Sequence, residues 1–391
     1  MSDAVHLPGF ARREFLFCER KFLLFSAIEI VESERIQFMR PANLRIRAQL
    51  RSAAERIVGT LLADLPSMLG ERSRSFATAG LSLLALATAA CTQSTTFVAE
   101  KPRNYPADSV EGTAHKLGVV QGFYGPESVR YSPGQDVYFV SVMNGPGSEK
   151  DNNGYIVEID AGNLGHAKLF AVGGKNGVHL DAPKGLAIHG DTLWTTDIDV
   201  VRGFDRTTGK PTGEIDLRPY HAVLLNDIAV GPDGTIYVTD TGIDMANIGV
   251  IYVGGDKVFA IGPNHAVSVI AHGNVLGRPN GVVWDSVGKR PIVVSFDTWH
   301  SEMYALHPQD STRTILATGK GRFDGIEPIG GGRFLVSCWQ DSSIHVFGDH
   351  RDKQIVRNVP SPADIGIDTK RNRLAIPVGN NRVEFWDLAG V

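Results

Sequence analysis

The stretch LNDIAVGPDGTIYVTD, residues 225–240, contains two apolar runs separated by a turn signal. Pro232-Asp233-Gly234 lies between Ile228-Ala229-Val230 and Ile236-Tyr237-Val238, which predicts a β-hairpin. Asn226-Asp227 is a second turn-prone pair, and it stands ahead of the first strand. Since one hairpin needs only one turn, this second pair is either part of a loop or part of a site.

The same arrangement of a polar residue, a β run, a turn and a second apolar run occurs six times in the chain. A repeat of roughly 40 to 57 residues is typical of four-stranded propeller blades. The copies begin at Pro126, Pro183, Leu225, Pro279, Phe323 and Pro362. Further strand candidates lie between them, at 154–160, 257–261, 267–271 and 343–347. The sequence therefore predicts an all-β protein with a six-bladed β-propeller.

The sixth repeat leaves room for only three strands, the last at residues 382–388. Residues 116–122 form a strand candidate ahead of the first repeat, with no partner of their own. Because an open blade edge would leave unpaired backbone groups, we expect this N-terminal strand to complete the last blade. Pro377, in the second strand of that blade, removes one ladder hydrogen bond.

The composition excludes several functional classes. The 43 glycines, about 11% of the chain against a usual ~7%, favour many short strands. A net charge of -4 without a basic stripe argues against nucleic acid as a partner. The cysteines at 18, 91 and 338 are too far apart for a disulfide framework or a CxxC metal clip, and Cys338 is expected to be a buried small hydrophobe. The sequence has no GxSxG, HExxH or GxxxxGK[ST] motif, which argues against a serine hydrolase, a zincin or a nucleotide enzyme.

Residues 68–91, MLGERSRSFATAGLSLLALATAAC, resemble a bacterial lipoprotein signal: a Met, two arginines, an apolar run, small residues and Cys91. The apolar run is too short to span a bilayer but suits a signal-peptide core. Thr88 departs from such signals, which usually have Leu at that position. The alternative is a short buried helix with an incidental cysteine.

This pattern predicts four parts: an extension at 1–67, the signal peptide at 68–91, a linker at 92–112 and the propeller at 113–391. A secretory signal must begin the chain to be read, so Met68 is the predicted start. The extension is then either untranslated or poorly ordered. The mature protein is expected to be exported, either periplasmic or anchored to the cell envelope by lipid alone.

The residues that begin the first strands of the blades should gather at one mouth of the central channel, since those strands line it. They are Glu127, Lys184, Asn226, Asn280, Asp324 and Ala363. Four of the six carry the carboxylate or amide oxygens that a hard divalent cation such as calcium or magnesium prefers. The alternative is that these Asn and Asp pairs only favour loops.

Four motifs, in this order and at comparable spacings, resemble those of the regucalcin and gluconolactonase (senescence-marker-protein-like) family of six-bladed propellers. They are GPESVRY with Glu127, LNDIAVGPDG with Asn226, PNGVVWD with Asn280 and FDGIEPIGGG with Asp324. The likeness covers about residues 115–391.

The resemblance implies hydrolysis of a lactone at one divalent cation, with calcium favoured and magnesium, manganese or zinc as alternatives. It assigns Glu127, Asn280 and Asp324 to the cation, and Asn226 to the substrate or to a water molecule on the cation. In such chemistry the cation polarises the carbonyl, and a nearby carboxylate, here the catalytic candidate Asp324, helps to activate water.

Three further residues bear on the substrate. Leu224 stands two residues before Asn226, where the sugar-acid lactonases of that family often have Arg. Lys184 is a predicted substrate contact, but it could instead pair with Glu127 or Asp324 and exclude a cation. His300, after the second strand of blade four, is predicted to overhang the mouth and contact the substrate.

Two functional classes follow from these patterns. The first is a metal-dependent hydrolase of a lactone or similar small ester, a monomer acting on a small molecule. The alternative is a non-catalytic propeller resembling the NHL-repeat proteins, which binds a small ligand or a protein on the same face. The fold does not choose between them.

Overall fold

The computed structural model describes residues 98–100, 114–245, 250–348, 351–379 and 381–391. The described residues confirm the six-bladed β-propeller: each of the six repeats forms its own antiparallel sheet. The predicted extension and signal peptide lie outside the described residues. Within the described ranges we find no helix with the length and apolar character needed to cross a bilayer.

The strands follow the predicted repeats. Two strands precede the first repeat, β1 (Val98–Glu100) and β2 (His115–Gln121). Blade one contains β3 (Pro126–Ser132), β4 (Val137–Val142), β5 (Tyr155–Asp160) and β6 (Ala167–Val172). Blade two contains β7 (Pro183–His189), β8 (Thr192–Asp197), β9 (Val200–Asp205) and β10 (Pro211–Asp216).

Blade three contains β11 (Leu225–Val230), β12 (Ile236–Asp240), β15 (Lys257–Ile261) and β16 (Val267–His272). A separate hairpin of β13 (Ile243–Asp244) and β14 (Ile251–Tyr252) is inserted after its second strand. Blade four contains β17 (Pro279–Asp285), β18 (Arg290–Ser295), β19 (Ser301–His307) and β20 (Thr312–Gly319). Blade five contains β21 (Phe323–Gly330), β22 (Arg333–Cys338), β23 (Ser343–Gly348) and β24 (Arg351–Val356). Two short 3-10 helices, Arg218–Tyr220 and Asn274–Leu276, lead into blades three and four.

Blade six closes the ring with the N-terminal strand, as predicted. It contains β25 (Gly366–Asp368), β26 (Arg373–Val378) and β27 (Arg382–Asp387), and β2 pairs antiparallel with β27. The structure differs from the prediction in one respect: β1 lies within the predicted linker at 92–112 and adds a fifth strand by pairing with β2. That part of the linker is therefore an edge strand of the blade.

The hydrophobic core lies between the blades. Six clusters of buried apolar residues each draw on two neighbouring blades, and one of them, which includes Val120, Tyr138 and Phe385, joins blade six to blade one. The second strands are buried on both faces, as in β4, while an outer strand such as β20 is largely exposed. Since burial increases toward the axis, polar groups on the inner strands are removed from water and need partners there.

Candidate functional site

The six predicted axial residues lie where the inner strands, the first strand of each blade, begin. All six are buried: Glu127, Lys184, Asn226, Asn280, Asp324 and Ala363. In five blades the pairing of the inner strand with the second strand shifts by one residue at this point, for example between Leu225 and Ile228. Such a β-bulge re-aims the side chain that it carries. We call the end of the channel at which these residues lie the axial mouth.

Hydroxyl groups on the second strands fix these bulges to the next blade. Thr239 Oγ1 accepts a hydrogen bond from Asp227 N of its own blade at 3.0 Å and donates to Asn280 O of the next at 2.5 Å. Equivalent donations run from Ser141 to Lys184 O, from Thr196 to Asn226 O and from Ser337 to Ala363 O. The hydroxyls therefore hold the backbone of four axial residues in place.

Glycines after the axial residues allow the inner strands to approach each other closely. A Cβ atom on Gly281 would lie 2.4 Å from Asp324 O, and one on Gly325 would lie 2.6 Å from the Cα of Asp364. The φ angles of these two glycines are not positive, so turn formation does not explain them. The interpretation of Asn-Gly and Asp-Gly as simple loop formers is therefore wrong for Asn280-Gly281 and Asp324-Gly325, because close approach between strands requires the glycine.

The four predicted oxygen donors share an unusual property. Each has a buried oxygen with no hydrogen-bond partner among the described residues: Glu127 Oε2, Asn226 Oδ1, Asn280 Oδ1 and Asp324 Oδ1. Nearly all buried polar side-chain atoms in folded proteins are paired, and leaving one unpaired costs about 1–3 kcal/mol. Four such oxygens at one register of the repeat indicate a place where a ligand supplies the missing partner.

The electrostatics of the channel favour a cation. Burial raises the pKa of Glu127 well above its usual range, and the neighbouring Asp324 raises it further. Burial also raises the pKa of Asp324, with Asp364 and Asp227 adding to the effect. These carboxyl groups resist ionisation because the negative charges lie close together away from water, and a bound cation would relieve that cost.

Two of these carboxyl groups, Asp227 and Asp364, were not assigned to the site from the sequence. Asp364 Oδ2 accepts a hydrogen bond from Ser128 Oγ at 2.5 Å, and burial raises the pKa of Asp364 to about 6. Asp227 accepts from Ile228 N and Val282 N, which links blades three and four. Both follow an axial residue by one position, so a search of the next register of the repeat would have found them.

Further along the inner strands, Arg130 and Glu327 form a largely buried ion pair. Arg130 donates to Glu327 and, through Nε, to Leu186 O at 2.8 Å. Its NH2 atom lies 3.8 Å from Asp364 Oδ2. Despite this pairing, burial raises the pKa of Glu327 to about 7. The guanidinium is therefore the positive charge nearest to Asp364 among the ion pairs of the described residues.

Lys184 is fully buried, and its Nζ donates to Gly147 O at 2.7 Å and to Ala182 O at 3.1 Å. Among the described residues, no ion pair joins Lys184 to Glu127 or Asp324, although its charge lowers the pKa of Glu127 somewhat. Burial lowers the pKa of Lys184 to about 8. Its contact with the substrate, and the alternative in which Lys184 replaces the cation, both stay predictions.

His300 lies on an exposed loop after β18, where its backbone N–H donates to Asp297 Oδ1 at 3.3 Å. The adjoining Trp299 side chain is 82% exposed. Because β18 ends beside Pro279, the loop is on the same face as the axial mouth. No hydrogen bond of the described residues joins the His300 side chain to an axial residue, so its substrate role stays a prediction.

Trp339 is a site residue that the sequence did not reveal. It directly follows β22 and packs edge-on against Phe296, with ring centroids 5.2 Å apart. Its indole N–H lies close enough to Asp324 to lower that carboxyl's pKa, but among the described residues it has no partner in hydrogen-bond geometry. The axial mouth therefore combines unpaired oxygens with one unpaired N–H donor beside an aromatic wall. A Trp directly after a second strand was the only signal for it in the sequence.

Leu224 is fully buried in an apolar cluster with Ala182, Ile198 and Ile243. Its position in the repeat, two residues before an axial residue, is occupied by Arg278 in blade four and Arg322 in blade five. Arginine is thus absent from this position in blade three but present in the two blades that follow.

Two solved structures resemble the chain closely enough in fold to be informative. One is the X-ray structure of a structural-genomics target named as a candidate gluconolactonase, with a TM-score of 0.52 and 17% identity, covering 74% of this chain and 97% of that one. The other is a gluconolactonase from Xanthomonas campestris described as important in glucose secondary metabolic pathways, with a TM-score of 0.54 and 15% identity, covering 74% and 99%. The chain therefore has the fold of the gluconolactonase type of six-bladed propeller. No protein-family model matches the sequence, and no curated protein matches it.

Proposed function

We propose that the protein is a metal-dependent hydrolase of a lactone or similar small ester, with one divalent cation at the axial mouth. The observation that carries the proposal is the set of four unpaired, buried oxygens at one register of the repeat. Oxygen-only donors of this kind suit calcium best, with magnesium, manganese or zinc as alternatives. The likeness in fold to proteins named as gluconolactonases supports the reaction class.

The residues present fit such an ion. Glu127, Asn280 and Asp324 would hold it through the oxygens that lack partners, and Asn226 would position the substrate or a water molecule. When bound, the cation would act as a Lewis acid on the substrate carbonyl.

The chain's own residues would then carry out the proton transfer. The carboxylate oxygen of Asp324 that does not hold the cation can accept a proton from water. The unpaired N–H of Trp339 beside it can donate a hydrogen bond to the substrate. Phe296 and Trp339 form an aromatic wall on that side, which would help to exclude bulk water.

The proposal is tested by metal analysis and a substrate screen. Protein purified without chelator should hold about one equivalent of a divalent cation at the axial mouth, in addition to any ion bound elsewhere, and chelator should lower its Tm reversibly. The screen should include neutral and anionic lactones, since Arg278 and Arg322 could receive an anionic group while blade three presents Leu224. A protein that arrives metal-free, does not melt higher with added cation and hydrolyses no lactone would instead support a non-catalytic binding propeller of the NHL type.

We also propose that the protein is exported, with Met68 as the start and Cys91 lipidated. The pattern of residues 68–91 supports this. Since one acyl chain anchors weakly, firm attachment would need several chains on Cys91. The intact mass of protein extracted from membranes distinguishes a lipidated chain beginning at Cys91 from an unmodified chain that retains residues 1–90.

A further inference from the structure

Blade five contains a second group of metal-ligating side chains. Cys338, Asp341 and His345 each offer one ligand atom, and these three atoms all lie within 4.8 Å of one another. The three residues come from the end of β22, the loop after it and β23. His345 Nε2 is 3.1 Å from Asp341 Oδ2, while the Cys338 thiol is buried and donates to Gly321 O at 3.3 Å.

The surroundings of His345 orient its ring as in many metal sites. Asp352, on β24, lies 2.5 Å from His345 Nδ1 through its Oδ1 atom. A carboxylate on one ring nitrogen leaves the other nitrogen to face a metal, and metal-ligating histidines almost always have such a partner. Asp341 is held in turn by Gln354 Nε2 at 2.9 Å and by the hydroxyl of Ser343. Hydrogen bonds from neighbouring side chains therefore already orient two of the three residues, His345 and Asp341.

We propose that Cys338, Asp341 and His345 bind a zinc ion. One sulfur, one nitrogen and one carboxylate oxygen form a ligand set that zinc accepts in four-coordinate geometry, with water as the fourth ligand. The axial mouth offers only oxygens and suits a harder ion. In a tetrahedral zinc site the nitrogen and oxygen ligands lie about 3.3 Å apart and the sulfur about 3.6 Å from each of them. The 3.1 Å pair is therefore already within range, and the thiol must move by no more than about 1.2 Å.

Without an ion, the same residues form a hydrogen-bonded network. Ser343 Oγ lies 2.8 Å from His345 Nε2, and both ring nitrogens of His345 then face hydrogen-bond partners. Lys320 Nζ, 3.6 Å from Asp341 Oδ2, supplies positive charge, but its side chain is 69% exposed and free to swing away. Zinc would replace the thiol proton of Cys338, so binding should release a proton.

The site has a structural consequence for the axial mouth. Cys338 immediately precedes Trp339, whose indole lies beside Asp324. A metal bound to Cys338, Asp341 and His345 would tie together both ends of the loop that carries Trp339. We expect zinc to stiffen this side of the mouth without entering the reaction.

Cobalt(II) provides the test, because a cysteine thiolate bound to cobalt gives a near-ultraviolet charge-transfer band that an oxygen-only site lacks. Full-length protein, reduced and freed of metal, should develop this band with one equivalent of cobalt and lose it when zinc is added. Zinc at 100 times its Kd should raise Tm by about 5–10 °C. Cys338→Ser and His345→Gln should each abolish the band, while Asp324→Asn at the axial mouth should retain it.

Matched variants decide the assignment. In the unprocessed 391-residue chain, Cys18→Ser and Cys91→Ser control for the other two cysteines, and both should keep the band. If the band is absent from the wild-type protein, persists in Cys338→Ser, or disappears in Cys18→Ser or Cys91→Ser, the proposal is overturned. If circular dichroism shows that Cys338→Ser does not fold, loss of the band in His345→Gln provides the same test.

Discussion

Replacing Asp324 by asparagine should stabilise the metal-free protein while removing its response to a cation. Asp324 is buried, and its Oδ1 has no hydrogen-bond partner in the part of the chain that the structure describes. Burial, together with Asp364 and Asp227, raises its pKa well above the usual range. Its ionised form therefore opposes folding near neutral pH, whereas the amide has a similar shape without the charge. An unpaired buried polar group costs about 1–3 kcal/mol, and more when charged. We expect a gain of about 1–2 kcal/mol, or a Tm about 2–8 °C higher in chelator.

The cation should reverse this ranking. At 100 times its Kd, calcium would stabilise the wild-type protein by about 2.7 kcal/mol, and Asp324→Asn should lose most of that gain. The pH dependence has a definite sign, because the folded-state pKa values of Glu127 and Asp324 lie above their unfolded values. Stability of the metal-free protein is thus present at low pH and declines as pH rises through the folded-state values. The calcium-induced gain grows over the same interval, since the ion binds ionised carboxylates.

Thermal melts of both proteins, in chelator and in calcium, measure these effects from about pH 5 to about pH 8. Circular dichroism before melting shows that the variant is folded. An Asp324→Asn protein that melts below wild type in chelator would show that the carboxylate stabilises the empty channel. A variant that keeps the full calcium shift would remove Asp324 from the cation site.

Three further perturbations test other parts of the channel. Arg130→Met and Glu327→Leu should each cost about 3–5 kcal/mol in urea unfolding, because each leaves the other charge buried, whereas the double variant should cost much less than their sum. Gly281→Ala should lower both Tm and calcium affinity, because its Cβ would lie 2.4 Å from Asp324 O, while Gly213→Ala, with nothing within 4 Å, should be nearly neutral. Lys184→Met should lower Tm in chelator by leaving Gly147 O and Ala182 O unpaired, at about 1–3 kcal/mol. It should also enlarge the calcium shift, since it removes a positive charge near Glu127, and an unchanged shift would show that Lys184 does not act on the cation site.

Much of the fold was predictable because the spacing of the strands and the turn residues between them determine it. The hairpin of residues 225–240 and its five relatives are local patterns, and closure by β2 followed from counting strands in the last repeat. β1 was not predictable in the same way. Its three residues, Val98–Glu100, lie in a polar stretch, and pairing with β2 decides that they form a strand. A strand this short has little local preference of its own.

The site was predictable only at the register where the repeat is visible. Glu127, Asn226, Asn280 and Asp324 share one position in their repeats, and the structure shows that they also share unpaired oxygens. Trp339 and the residues around His345 follow no repeat. Their placement depends on contacts between separate elements, such as that of Asp352 on β24 with His345 on β23. Pattern reading along one chain does not reveal such contacts.

At the inner-strand bulge, the contacts that stabilise the ring are made by the backbone, while the side chains are left to face the mouth. Second-strand hydroxyls hold the axial backbone through its carbonyls, so they place no demand on the axial side chain. The same position accordingly carries a lysine in blade two, a carboxylate in blade five and an alanine in blade six. The apolar clusters lie between the blades and contain none of the four oxygen donors. An axial substitution should therefore change which ion or substrate the mouth would accept, while changes to the hydroxyls or to Gly281 should disturb the geometry of every ligand that the mouth would hold.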